Sequence, residues 1–244
     1  VSNGSNDELN FGTRTYVAWN WKESATAGFD IVSYAGNGNS PRTNVTHNLG
    51  VAPDVVIVKR RNDTEDWIVG LGPILYGSSN AGHYLKLNTD AAEGTGAGPF
   101  NSTNPTSNNL VLGSDVATNG NGDTYIAYCF SAVEGYSKFG TYIGNGNADG
   151  TFVYTGFRPA YVMTKRSSGT GGPWNIIDNT RETYNVRERN IRANTAAVED
   201  TSRLIDFLSN GFKLRNSGTE MNNNTGEYIY MAFAETPFKY ANAR

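Results

Sequence analysis

The chain of 244 residues has one cysteine, Cys129, two histidines, His47 and His83, and almost no excess of charge of either sign. A lone thiol excludes an internal disulfide framework, and its place inside the apolar run TYIAYCF marks it as a small buried hydrophobe. His47 and His83 stand without partners at metal-ligand or Ser-His-Asp spacing, so both are expected on the surface or in turns. With 20 basic and 23 acidic residues the formal charge is -3, which offers no field to hold a polyanion. Nucleic acid and acidic membrane surfaces are thereby disfavoured as partners. No stretch approaches the roughly 18 continuous apolar residues of a membrane helix, and no basic-then-apolar leader opens the chain, so membrane insertion is not expected.

What is present in quantity is glycine at 28, tyrosine at 14 and phenylalanine at 11, with abundant Asn, Ser and Thr. That mixture describes many short strands joined by tight turns. An internal repeat organises them. YAGNGN (Tyr34 to Asn39) returns as YIGNGN (Tyr142 to Asn147), TNVTH as TFVYT, VAPDVVIVKR as FRPAYVMTKR, Trp67 as Trp174, NTDAAE as NTAAVE and TYIAYCF as EYIYMAF. The matches keep their order while the offset drifts from 108 to 103, as small deletions in loops produce.

Each copy is about a hundred residues long and reads as about seven strands, which fits a β-sandwich. The expected fold is all-β: two tandem homologous, jelly-roll-like sandwich units, residues 29–135 and 136–244, preceded by an extension, residues 1–28. VVIV and YIAYCF are apolar on both faces and belong in the middle of a sheet, whereas YLKLN and GFKLR alternate and have one wet face. TYVAWNW (Thr15 to Trp21) matches the closing strand of both copies, so the extension is expected to carry an orphan strand of a preceding unit. The one helical pattern is DTSRLIDFLSNG, with a cap at Asp200 or Thr201 and a stop at Gly211.

The paired GNGN loops are expected to be tight hairpin turns, because Gly and Asn tolerate positive φ and a strand, not a helix, follows each. Asn145 to Gly150 reads like half a calcium loop but has Gly156 where a bidentate Glu is required. SSGTGGPW has the rhythm of an aspartate box without its aspartate. Glu93 and Glu199 are the nearest approach to an acid pair for glycoside hydrolysis, yet their equivalence across the copies points to one structural role repeated. Trp67 and Trp174 are read as packing residues, and Lys59 to Arg61 with Lys165 and Arg166 as a solvated or salt-bridged rim. N-x-S/T triplets at Asn3, Asn44, Asn62, Asn101 and Asn223 matter only in a secretory host. No residues are singled out for catalysis, metal or cofactor binding, and the binding residues stay undefined.

Three long phrases carry a resemblance: YCFSAVEGYSKFGTYIGNGNADGTFVYTGFRPAYVMTKR (Tyr128 to Arg166), IDFLSNGFKLR (Ile205 to Arg215) and YIYMAFAETPFKYANAR (Tyr228 to Arg244). They resemble an uncharacterised domain of structural and tail-fibre-like bacteriophage proteins, common in phages of marine bacteria including cyanophages and pelagiphages. The resemblance implies a non-enzymatic virion component, often the C-terminal part of a longer fibre or appendage chain. Its implied partners are further copies of itself, most simply as a trimer, other virion proteins, and a host surface glycan or outer-membrane protein. A capsid decoration protein and a lectin-like module are the alternatives.

Overall fold

The computed structural model describes residues 12–71 and 82–236. The first half contains β1 (Phe29–Ala35), β2 (Arg42–Thr46), β3 (Val55–Arg60), β4 (Ile68–Leu71), β5 (His83–Lys86), β6 (Gly94–Thr95), β7 (Asn109–Leu112) and β8 (Thr124–Phe130). The second contains β9 (Ser137–Ile143), β10 (Phe152–Tyr154), β11 (Pro159–Arg166), β12 (Trp174–Asp178), β13 (Ile191–Arg192), β14 (Ile205–Leu208), β15 (Gly211–Leu214) and β16 (Glu227–Ala234). A four-residue helix, α1 (Val116–Asn119), capped by the Asp115 side chain on Ala117 N–H, precedes β8.

Every sequence-expected strand of the two copies is present, and the fold is all-β. One large sheet runs β1-β8-β3-β4-β5-β6 and another β13-β12-β11-β16-β9, the same order read from the other end except that β6 has no counterpart. Smaller sheets, β2-β7 and β10-β15-β14, accompany them. In each half the first strand pairs with the last and the second with the second-last, the nested pairing of a jelly roll.

The strands that are apolar on both faces are explained by what lies on either side. Val55 and Ile57 of β3 and Phe130 of β8 point into a core that also holds Tyr161, Met163, Trp174, Ile176, Ile229, Met231 and Phe233 from the second half. The alternate residues Val56, Val58, Tyr125, Ala127 and Cys129 face Val45, Leu110 and Leu112 beneath the small sheet. The second half sorts the same way: Val162, Ile177, Tyr228, Tyr230 and Ala232 pack on Val153, Phe207 and Phe212. The side-chain period of two thus sends successive residues to different cores, and the molecule stacks as small sheet, large sheet, large sheet, small sheet.

Three expectations about local structure need correction. Thr15 to Trp21 form no strand; instead Trp21 packs edge-on against Phe130 (6.4 Å), Tyr161 (5.6 Å) and Phe233 (5.4 Å), plugging the margin of the shared core. Trp21, Phe130 and Phe233 are matched positions of the three copies of the closing motif, so the likeness records a common anchoring place rather than a common hydrogen-bonded strand. The helical pattern at Asp200 to Gly211 is a hairpin, β14 and β15, closed by Ser209 and Asn210 with Leu208 opposite Gly211. Ile205 and Phe207 alternate inward there, and burying them beside Phe212 outweighs the weak intrinsic helix preference. Finally, the GNGN segments are corners between sheets and not hairpin turns, since β1 and β2 lie in different sheets, as do β9 and β10.

Candidate functional site

Most of the chemistry-bearing residues prove to be scaffold, and the duplication shows how. Asn119, fully buried, donates from Nδ2 to Asn39 O (2.9 Å) and Gly113 O (2.8 Å), and its Oδ1 accepts Asn37 N–H (3.1 Å). Asn222, also fully buried, donates to Asn145 Oδ1 (2.9 Å), Asn147 O (2.8 Å) and Asn216 O (2.7 Å) and accepts Asn145 N–H (2.9 Å). A buried amide thus clamps each GNGN corner from inside. Gly38 and Gly146 sit at φ of 68° and 64°, the left-handed region, where a Cβ is strained. The tyrosines beside the corners are duplicated too: Tyr34 stacks on Tyr125 and Tyr142 on Tyr228. Tyr125 and Tyr228 each accept a backbone N–H, from Gly120 and Asn223, and donate to a backbone carbonyl, of Val116 and Thr219.

Trp67 and Trp174 each donate their backbone N–H to a matched asparagine, Asn88 or Asn194. Trp174 is buried and reaches across the stack, its Nε1–H donating to Lys86 O (2.9 Å). Lys59 caps Glu65 O and its counterpart Lys165 caps Gly172 O, but Lys165 also donates to Thr89 O (3.3 Å) in the other unit and is fully buried. Burial pushes its ammonium down to about 8. Lys165 is therefore an interior cross-link, not part of a solvated rim. Glu93 contacts His83 ten residues upstream, and Glu199 pairs with Arg189 at the same spacing, so one structural role is repeated. Glu199 also binds Arg181 (2.9 Å). Burial, and then the neighbouring Glu227 carboxylate, push Glu93 up to about 7. The two glutamates lie in separate pairings.

His47 is buried, contrary to the expectation of a surface histidine, with Nε2 at 3.1 Å from Thr106 O. Cys129 is buried as expected, and burial pushes its thiol up to about 12. Asp149, in the stretch that resembles half a calcium loop, is held by Lys213 (2.6 Å) and Arg215 (3.4 Å). Among the described residues no group of three or more His, Cys, Asp or Glu side chains converges as a metal site, and no helix is long and apolar enough to cross a membrane.

The surface that departs from scaffold lies at the open edge of the second unit, where the start of β9 faces the end of β10. Ala132, Glu134, Gly135, Ser137, Lys138, Phe139 and Tyr154 to Gly156 line a groove of about 440 Å³. Tyr154 is 58 % exposed, and Lys138 Nζ lies 5.0 Å from its ring centroid. Phe152, two residues earlier on the same strand face, is also exposed. Thr155 fixes the wall, donating from Oγ1 to Phe157 O (2.6 Å), while Thr155 and Gly156 N–H both donate to Asn210 O. At the matched place in the first unit Asp30 replaces Lys138, Thr46 replaces Tyr154 and His47 replaces Thr155. Asp30 is buried there and its Oδ2 accepts Asn48 N–H (2.7 Å), tying β1 to the segment that follows β2. Nothing in the sequence pointed to this groove; the available signal was the change from Asp, Thr and His to Lys, Tyr and Thr within an otherwise repeated segment.

A family model, Domain of unknown function (DUF7483), matches residues 1–237. The chain belongs to the DUF7483 family. No curated protein and no solved structure matches this DUF7483 chain.

Proposed function

We propose that this DUF7483 protein is a non-enzymatic structural component of a bacteriophage particle, a tail-fibre or appendage protein with a host-adhesion role, displayed on the virion surface. The observation that carries the reading is the pair of eight-stranded units fused through one aromatic core, a stiff body whose edges carry the loops. The resemblance of its long phrases to phage structural domains supports it. Such a body keeps its shape without disulfides, and its partners are further copies of itself, other virion proteins and a host surface molecule. Imaging purified particles with gold-labelled antibody against this chain tests the reading: label on a fibre or appendage is expected, label on the capsid shell would make it a decoration protein, and unlabelled particles would overturn it. Mass measurement in solution reads the oligomer, with a trimer expected for a fibre.

A lectin-like role is a second reading, favoured by the open groove beside Tyr154.

A further inference from the structure

The geometry points to the groove between β9 and β10 of the second unit as a carbohydrate site, taking a neutral or singly acidic pyranose of a surface polysaccharide against Tyr154. This rests on the adhesive reading above and names its ligand class.

The duplication separates shared residues from divergent ones. Where the two units share a task, they share residues: the Asn119 and Asn222 clamps, the stacked tyrosine pairs and the tryptophan anchors. At the open edge the first unit does what stability asks, with Asp30 buried and bonded to Asn48 N–H. The second unit instead exposes an aromatic ring beside a concave wall. Tyr154 and Phe152 expose two rings on one strand face beside that wall, and an apolar patch rimmed by polar groups is the kind of surface that marks a binding groove.

The chemistry of the lining narrows that contact. Tyr154 presents an apolar ring with a hydroxyl at its tip, and the ammonium of Lys138 holds it from one side. The C–H face of a pyranose packs on such a ring. Lys138 brings N–H donors and Glu134 lines the groove beside it, polar groups of the kind that meet hydroxyls, which both donate and accept. One cation and one anion in the lining leave no net positive field, which disfavours a phosphate-rich polyanion. A volume of about 440 Å³ lies within the roughly 300–1,000 Å³ of small-ligand sites and accommodates one or two sugar rings.

The test displays the full chain multivalently on beads and measures retention of cellohexaose, mannohexaose, chitohexaose and a hexameric mannuronate. We expect at least one to be retained, with Tyr154→Ala lowering retention at least tenfold, Tyr154→Phe keeping most of it, and Thr46→Ala, at the matched place of the first unit, leaving it unchanged. Tyr154 is exposed, so these variants should melt with the wild-type midpoint. Retention of none of the four, equal retention by Tyr154→Ala, or a dimer that dissociates on Tyr154→Ala without sugar binding would each overturn the assignment. Particles that carry the chain while it binds no sugar would sink this inference alone; sugar binding by a chain absent from particles would sink only the particle reading.

Discussion

In the first unit the carboxylate of Asp30 is drawn inward onto Asn48 N–H; in the second, Lys138 at the matched position lies over the exposed ring of Tyr154. A few residues away both units hold their GNGN corners with the same buried asparagine and the same stacked tyrosines. The difference teaches where duplicated sequence is free to diverge. A buried amide with several hydrogen bonds has no substitute of equal shape and polarity, whereas an edge residue answers only to solvent and to whatever docks there.

The largest effect is expected at the core the units share. Trp174→Ala should lower the stability of the whole body by about 3–5 kcal/mol in urea unfolding, because it empties a fully buried indole site and removes the indole hydrogen bond to Lys86 O. Trp67→Ala, only partly buried, should lower it by about 2 kcal/mol. Equal losses would show that the two tryptophans do equivalent work and that the two units are symmetric at the core.

Next come the clamps. Asn119→Ala and Asn222→Ala should each cost about 2–3 kcal/mol, since each strands the buried groups of a GNGN corner. Similar values from the two variants in one denaturant series would sharpen the equivalence; a harmless Asn222→Ala would break it.

A smaller effect is expected from Glu93, whose carboxyl is raised from 4.5 to about 7 by burial and by Glu227. Between these values the unfolded chain has released the proton while the folded chain retains it, so stability should fall as pH rises from about 4.5 to 7 and level off above. The amplitude is roughly 1 kcal/mol once screening by solvent is allowed for. Glu93→Gln should flatten that slope in a pH series of melting curves. The smallest effect is on stability at the groove, where Tyr154→Ala should move the unfolding free energy by less than about 0.5 kcal/mol.

The strands were legible because their residues carry the pattern directly: alternation in YLKLN and GFKLR, continuous apolarity in VVIV and YIAYCF. The helix read at Asp200 to Gly211 failed because the Ser-Asn-Gly that ends it is equally a turn, and only the partners of Phe207 distinguish the two. The burial of Lys165 was illegible for a related reason. A lysine at a strand end is ordinarily solvated, and what covers this one is the backbone of the other unit at Thr89. His47 was misjudged because its cover is the loop at Thr106, far away in sequence.

The amino-acid sequence alone determined the strands, their duplication and the residues able to turn the corners, because those follow from side-chain period and from backbone freedom at Gly and Asn. Tertiary structure decided that the large sheets share one core, that Trp19 and Trp21 pack against it without forming a strand, and that Asp30 is buried onto Asn48 at one edge while Lys138 lies over an exposed Tyr154 at the other. These outcomes depend on which surfaces meet across distant parts of the chain, a matter of packing geometry that no local pattern records.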